Sequence, residues 1–378
     1  MNKKLMIVAG EASGDLHGAS LMKELSAIDS SLEFFGIGGD KMIAAGMKAK
    51  YHIKQMAFLG FIEVLRHLPF INKVKRDLLQ LAEDEKIETI VLIDYPGFNL
   101  NIAEKFHSRG KKLIYFISPQ VWAWGKGRVA KIKRLVKKML VIFPFEENFY
   151  KEVGVKAVYV GHPLVEHAEG YDFLSKEELF AKFDLDRRKE ILLVLPGSRK
   201  QEIRKLFGES IEAATRLASE FNMQVVVACA ENINENIFKE VTSISGYRLV
   251  KGFTYDLLKH SKFGIIKSGT STLEAGYFQL PFAVVYATNT LTYLIGKNLA
   301  KIKNIAMANI ILGKTVVPEL LQTDANKEKI YLVCKEYLEN KERLYQMKQA
   351  LSEIKNKLGA GGASKRAAEI IYAALNEA

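Results

Sequence analysis

The sequence predicts an α/β protein of two domains, each a parallel sheet wound with helices on both faces. Three observations carry this expectation. Strand-like apolar runs alternate with helix-like segments along the whole chain, which is the pattern of βαβ units. The 378 residues exceed what a single core usually serves. The second half also repeats the plan of the first: runs near 5–9, 33–37, 89–93, 113–117, 139–143 and 157–160 are followed by runs near 191–195, 224–228, 247–250, 263–266 and 282–286. The expected domains are 1–165 and 166–357. Residues 358–378 form a terminal helix that a hinge at Gly359 to Gly362 leaves free to cross back to the first domain.

Composition narrows the class. With 48% hydrophobic and 26% charged residues, the chain has the make-up of a globular protein rather than a disordered one. No stretch approaches the roughly 20 apolar residues of a membrane-spanning helix. The first residues, Met1-Asn-Lys-Lys, run into a short apolar segment cut by Gly10-Glu11, so no signal peptide is expected. Cys229 and Cys334 have no metal-ligand neighbours at useful spacing and are expected to be buried thiols in a reducing cytoplasm. The formal charge of +12 fits an anionic partner. Nucleic acid is disfavoured, because no binding motif appears and the positive charges are scattered along surface helices.

The second half carries the most specific stretch, Ser268-Gly-Thr-Ser-Thr-Leu-Glu-Ala-Gly276. A strand that turns through Ser-Gly-Thr straight into a helix presents unpaired N–H groups and the positive end of the helix dipole, which suits a phosphate. Glu274, one turn further on, can accept from the vicinal hydroxyls of a ribose. The competing reading is an ordinary helix capped by Ser and Thr. The apolar run 191–195 breaks into Pro196-Gly-Ser-Arg199, where Gly197 admits a ligand close to the backbone and Arg199 offers a fork of donors to a diphosphate. Two such loops at the carboxyl ends of parallel strands are where an open α/β sheet binds its ligand. Asp184-Leu-Asp186 has a metal-binding spacing but lies in a charged connector, and reads as a turn.

In the first half, Gly10-Glu-Ala-Ser-Gly-Asp-Leu-His-Gly18 reads as a glycine-rich loop offering Glu11, Ser13, Asp15 and His17 to a ligand, or as a turn with Ser13 or Asp15 capping a helix. It lacks the dinucleotide spacing G-x-G-x-x-G. Residues 56–70 crowd Phe58, Leu59, Phe61, Ile62, Leu65 and Phe70 ahead of Lys73, Lys75 and Arg76; this fits either an acyl or membrane contact or a core helix with a solvated basic end. Asp94 ends a central strand before Pro96-Gly97, which are expected to stop any immediate helix and to hold the carboxylate on a stiff turn, as a general base requires; the competing reading is an Asx residue that only stabilises the turn. Asn99 is expected to cap the helix beyond. Trp122 and Trp124 offer flat surface to a sugar or acyl chain, or pack between domains.

These stretches, together with Asp94-Tyr-Pro-Gly-Phe-Asn99, Ser118-Pro-Gln-Val-Trp-Ala-Trp124, Phe143-Pro-Phe-Glu146, Gly161-His-Pro163 and Val317-Pro-Glu-Leu-Leu-Gln322, resemble the ordered motifs of the lipid-A-disaccharide synthases. The resemblance spans the chain. It implies two Rossmann-like domains facing each other across a cleft, the GT-B arrangement. It also implies inverting transfer from UDP-2,3-diacylglucosamine to 2,3-diacylglucosamine 1-phosphate, with no metal or other cofactor. The setting implied is the cytoplasmic face of the inner membrane, with the enzyme held peripherally on an anionic surface; a homodimer is left open. Carried over by motif, Asp94 is the base, and Gly197, Ser198, Arg199, Ser268, Gly269, Thr270, Ser271 and Thr272 cradle the donor diphosphate. Glu274 takes the ribose, Asn309 and Gln322 are donor-side polar groups, and Glu11, Ser13, Gly14, Asp15 and His17 lie on the acceptor side. The chain departs from many members at Gly97 and Ala308. Competing readings are a UDP-sugar 2-epimerase, a nicotinamide-dependent oxidoreductase and a non-catalytic lipid-binding protein.

Overall fold

The computed structural model describes residues 3–56, 67–119, 121–122, 127–288 and 304–377. Phe58, Leu59, Phe61, Ile62, Leu65 and Trp124 lie outside the described residues, as do 289–303. The chain divides into two compact units, one of residues 1–169 with 358–378 and the other of residues 170–357.

Within the described residues, the first unit holds a seven-stranded parallel sheet. Its strands are β1 (Lys4–Ala9), β2 (Glu33–Gly38), β3 (Met47–His52), β4 (Thr89–Ile93), β5 (Lys112–Phe116), β6 (Lys138–Val141) and β7 (Ala157–Tyr159), in the order β3-β2-β1-β4-β5-β6-β7. The second unit holds a six-stranded sheet of β8 (Glu190–Leu195), β9 (Met223–Cys229), β10 (Arg248–Lys251), β11 (Phe263–Lys267), β12 (Phe282–Tyr286) and β13 (Glu319–Leu321), in the order β10-β9-β8-β11-β12-β13. Each order reverses once, between β1 and β4 in the first sheet and between β8 and β11 in the second. Those reversals open the crevices in which α/β sheets bind ligands.

The central strands form because both their faces are covered. Ile90 to Ile93 and Ile191 to Val194 are fully inaccessible, hence their unbroken apolar sequences. Each such side chain contributes roughly 1.5–3 kcal/mol on burial. The sequence reading missed two edge strands. In β3, Lys48, Ala49 and Lys50 are exposed, so backbone pairing alone marks it; β13 is three residues long and follows Pro318. A register shift sits at Gly36, whose φ of +133° brings its α-carbon against Ile7 O, where a Cβ would stand 2.1 Å away.

The helix Ala363–Asn376 packs along the helix Ala12–Ile28 of the first unit, and Ser364 N–H donates to Glu166 at 2.8 Å. Among the described residues no helix is long and apolar enough to cross a membrane.

Candidate functional site

In the second unit the two predicted phosphate loops follow β8 and β11, which pair directly. Gly269 opens the helix Thr270–Tyr277 with a φ of +149°, and no side chain caps that helix; Thr272 N–H donates to Gly269 O at 3.0 Å, while among the described residues the Thr270 and Ser271 N–H groups stay open to a ligand. This disfavours the Ser/Thr-cap reading. Glu274 sits one turn in, as expected. Burial raises its carboxyl to about 7, and among the described residues nothing donates a hydrogen bond to that carboxyl.

The second loop is organised by Glu202, a residue the sequence reading passed over. Its Oε2 accepts the Ser198 N–H at 3.1 Å. Its Oε1 lies 2.8 Å from Lys267 Nζ and 3.5 Å from Arg199 Nη1. Gly197, at φ +122°, is required because a Cβ there would come within 2.4 Å of Glu202 Oε2. The sequence signal was present: Glu202 stands three residues after Arg199 in the first turn of the helix Lys200–Glu220, an i,i+3 pair.

Three residues expected at the donor are hydrogen-bonded within the fold. Thr272 Oγ1 donates to Gly269 O at 2.8 Å and accepts the Met307 N–H at 3.0 Å. The fully buried Asn309 accepts from Val316 N and Val317 N and donates to Val317 O and Glu319 Oε1. Gln322 accepts from Thr288 N and donates to Thr288 O. Their amides and hydroxyl brace the turns around the loops. Ser268 is buried and donates to Ile305 O at 3.2 Å, while Thr270 is exposed and Ser271 half-buried.

In the first unit, Asp94 and Tyr95 take left-handed φ values of +43° and +46° between β4 and the helix Pro96–His107. The expectation that Pro96-Gly97 would stop an immediate helix is therefore corrected. Proline fits the first helical position, where its missing N–H costs nothing. The stiff turn arises instead from the paired left-handed residues and their braces. Asp94 N donates to Phe116 O at 3.1 Å, and Asp94 O accepts from Tyr115 Oη at 2.5 Å and Asn99 Nδ2 at 2.8 Å. Asn99 is not a cap. It is buried inside the helix, and its Nδ2 also reaches Val8 O and Ile93 O, tying β1 to β4.

The glycine-rich stretch 10–18 is likewise helix from Ala12 onward, capped by neither Ser13 nor Asp15. Gly10 yields space to the protein's own Tyr95 ring, which a Cβ would meet at 2.2 Å, and Gly14 packs on Ala9. Asp15 is buried and accepts the N–H groups of Gly39, Lys41 and Met42 at 2.6, 3.1 and 3.0 Å; its carboxylate anchors the turn after β2. His17 stacks on His167 with ring centroids 5.7 Å apart. Desolvation holds both His17 and His162 down to about 3. Ser13 is exposed and Glu11 half-buried at the mouth of β1.

Trp122 is fixed by its Nε1–H donating to the buried Glu146 at 3.1 Å and by an edge contact with Phe145 at 5.0 Å. Burial lifts Glu146 to about 7. Phe70, half-buried, packs edge-on against Tyr51 at 5.9 Å, which favours the core reading at that residue. Asp184-Leu-Asp186 is a turn in which Asp186 accepts the Arg188 N–H at 2.9 Å.

Comparison with known proteins relates this geometry to a family. Solved structures share the fold across the chain. The UDP complex of MnaA from S. aureus aligns with a TM-score of 0.68 at 17% identity, covering 99% of this chain and 97% of that one. The UDP-GlcNAc 2-epimerase of Neisseria meningitidis bound to UDP-GlcNAc aligns with a TM-score of 0.68 at 15% identity, covering 98% and 100%. At such identities the likeness speaks to the GT-B-type pair of Rossmann-like domains and to nothing finer. Sequence similarity is far closer to a lipid-A-disaccharide synthase of Geobacter metallireducens, 39% identical over 379 aligned positions that cover 100% of this chain and 98% of the relative. The family model described as lipid-A-disaccharide synthetase matches residues 5–374. The chain therefore belongs to the lipid-A-disaccharide synthase family, whose members are UDP-sugar hexosyltransferases of lipid A biosynthesis.

Proposed function

We propose that the enzyme transfers the sugar of UDP-2,3-diacylglucosamine to the 6-hydroxyl of 2,3-diacylglucosamine 1-phosphate with inversion, releasing UDP and the β-1,6 disaccharide 1-phosphate. The observation that carries this reading is the desolvated Glu274 carboxyl, without a hydrogen-bond donor among the described residues, one turn into an uncapped helix beside the Arg199 loop. It supports a uridine diphosphate with the ribose on Glu274 and the phosphates on the helix end and Arg199. Charge developing on the departing diphosphate meets the same N–H groups and guanidinium. In the first unit Asp94 follows β4 at the other strand-order reversal, and its proposed role is to take the proton of the acceptor hydroxyl. The first unit is then the acceptor side and the second the donor side. A peripheral position on the cytoplasmic face of the inner membrane fits the +12 charge and acylated substrates.

The test is incubation with both lipid substrates, following UDP release. Release is expected to require the acceptor, to survive a chelator, and to fall about 10²–10⁴-fold in Asp94→Asn while UDP affinity is retained. Turnover of UDP-N-acetylglucosamine without acceptor would favour an epimerase instead and overturn the proposal.

A further inference from the structure

We infer that Lys267 is a second cationic ligand of the donor diphosphate, and that Glu202 is the positioning residue that holds Lys267 and Arg199 in place for it. This rests on the donor reading above and names residues that reading does not use.

Lys267 ends β11, immediately before the Ser268-Gly269 turn. Its ammonium lies 3.4 Å from the point where a Cβ on Gly269 would stand, so it overhangs the open first turn of the helix Thr270–Tyr277. Its side chain is 16% exposed, and among the described residues Glu202 is its one polar partner. An ammonium has three donors, which leaves two for a ligand on that turn.

Glu202 meets Lys267 and Arg199 through the same oxygen, Oε1, while Oε2 is fixed by the Ser198 N–H. The carboxylate thus links the loop after β8 to the loop after β11 and restrains a long lysine stem whose ordering otherwise costs up to about 2 kcal/mol. Arg199 supplies a planar fork and Lys267 a point charge. The division suits two linked phosphate groups better than two arginines would, because the rounded ammonium fits beside backbone N–H donors on a crowded turn.

The experiment measures affinities for UDP and for uridine by calorimetry on the full-length protein, for the unaltered enzyme and for Lys267→Met, Lys267→Arg and Glu202→Gln. Methionine keeps the apolar stem. Lys267→Met is expected to weaken UDP about 10- to 100-fold and to leave uridine, which lacks phosphates, unchanged. Lys267→Arg restores most of the loss. Glu202→Gln is expected to weaken UDP about 3- to 10-fold, again without effect on uridine, since an amide holds the two cations less firmly. UDP affinity of Lys267→Met equal to that of the unaltered enzyme would overturn the ligand role. Tighter UDP binding by Glu202→Gln would show the carboxylate to be a competitor of the diphosphate and overturn its positioning role. If the unaltered enzyme binds uridine but not UDP, the inference falls while the ribose site stands; if it binds neither, the donor reading itself falls.

Discussion

The Tyr115 hydroxyl donates to the backbone carbonyl of Asp94 at 2.5 Å, so a fully buried ring of β5 holds the left-handed turn at the end of β4 from below. Burial raises the Tyr115 pKa well above its ordinary value, so the hydroxyl stays a donor at any working pH. A left-handed non-glycine residue costs roughly 1–2 kcal/mol, and this bond offsets part of that at Asp94. Tyr115→Phe is expected to lower stability by about 1 kcal/mol and to reduce kcat several-fold with UDP affinity unchanged. Denaturant unfolding together with steady-state kinetics checks both arms.

With the proposed ribose contact, Glu274 should give UDP binding a pH dependence. Its carboxyl is held near 7 by burial, and hydroxyl donors of a ribose favour the ionised form. Binding below pH 7 must therefore release a proton, so affinity should rise with pH up to about 7 and level off above it. The part of the dependence due to Glu274 should vanish in Glu274→Gln, leaving that of the diphosphate's own second ionisation at about pH 6. Titrations in buffers of different ionisation enthalpy measure the proton directly.

Asp15 satisfies three backbone donors at the entrance to the helix Asp40–Ala44. Asp15→Ala leaves them buried or half-buried without a partner and is expected to cost about 2–4 kcal/mol. If Asp15 were a ligand contact instead, the substitution would raise the KM for the acceptor and leave the unfolding midpoint in place.

His17 and His162 are kept neutral, chiefly by desolvation, with folded values near 3 against about 6.5 when unfolded. The unfolded chain binds protons first, so stability is full above pH 6.5 and declines as pH falls from 6.5 toward 3. The slope reaches at most about 1.4 kcal/mol per pH unit for each histidine. His17→Phe, which preserves a ring against His167, should flatten the decline. Unfolding midpoints at pH 7.5 and pH 5 compare the two proteins.

Much of the architecture was legible because its central strands are buried on both faces. Ile191 to Leu195 can be little other than an inner strand, and the two reversals of strand order put the predicted loops where the sheets bind ligands. Three features hid the rest. β3 carries exposed lysines and depends on backbone pairing with β2, so it leaves no apolar trace. Gly14 and Gly18 look like loop residues, yet they lie on a helix face where Ala9 and Met42 leave no room for a larger side chain. Asn309, Gln322 and Thr272 look like ligand groups because they are polar and near the site; only the folded chain reveals that they are bonded to backbone atoms of neighbouring turns and, for Asn309, also to the Glu319 carboxylate. Lys267 and Glu202 are distant in sequence and meet only because β8 pairs with β11.

Because the helix Ala363–Asn376 joins the first unit after the whole of the second has been passed, the face of the helix Ala12–Ile28 on which it packs lacks that cover while the first unit is being made. The surface of the helix Ala12–Ile28 that this last helix covers must wait through translation of 170–357. That is a delay of roughly 10–40 s at the usual elongation rate, during which the nascent N-terminal half exposes apolar surface to chaperones.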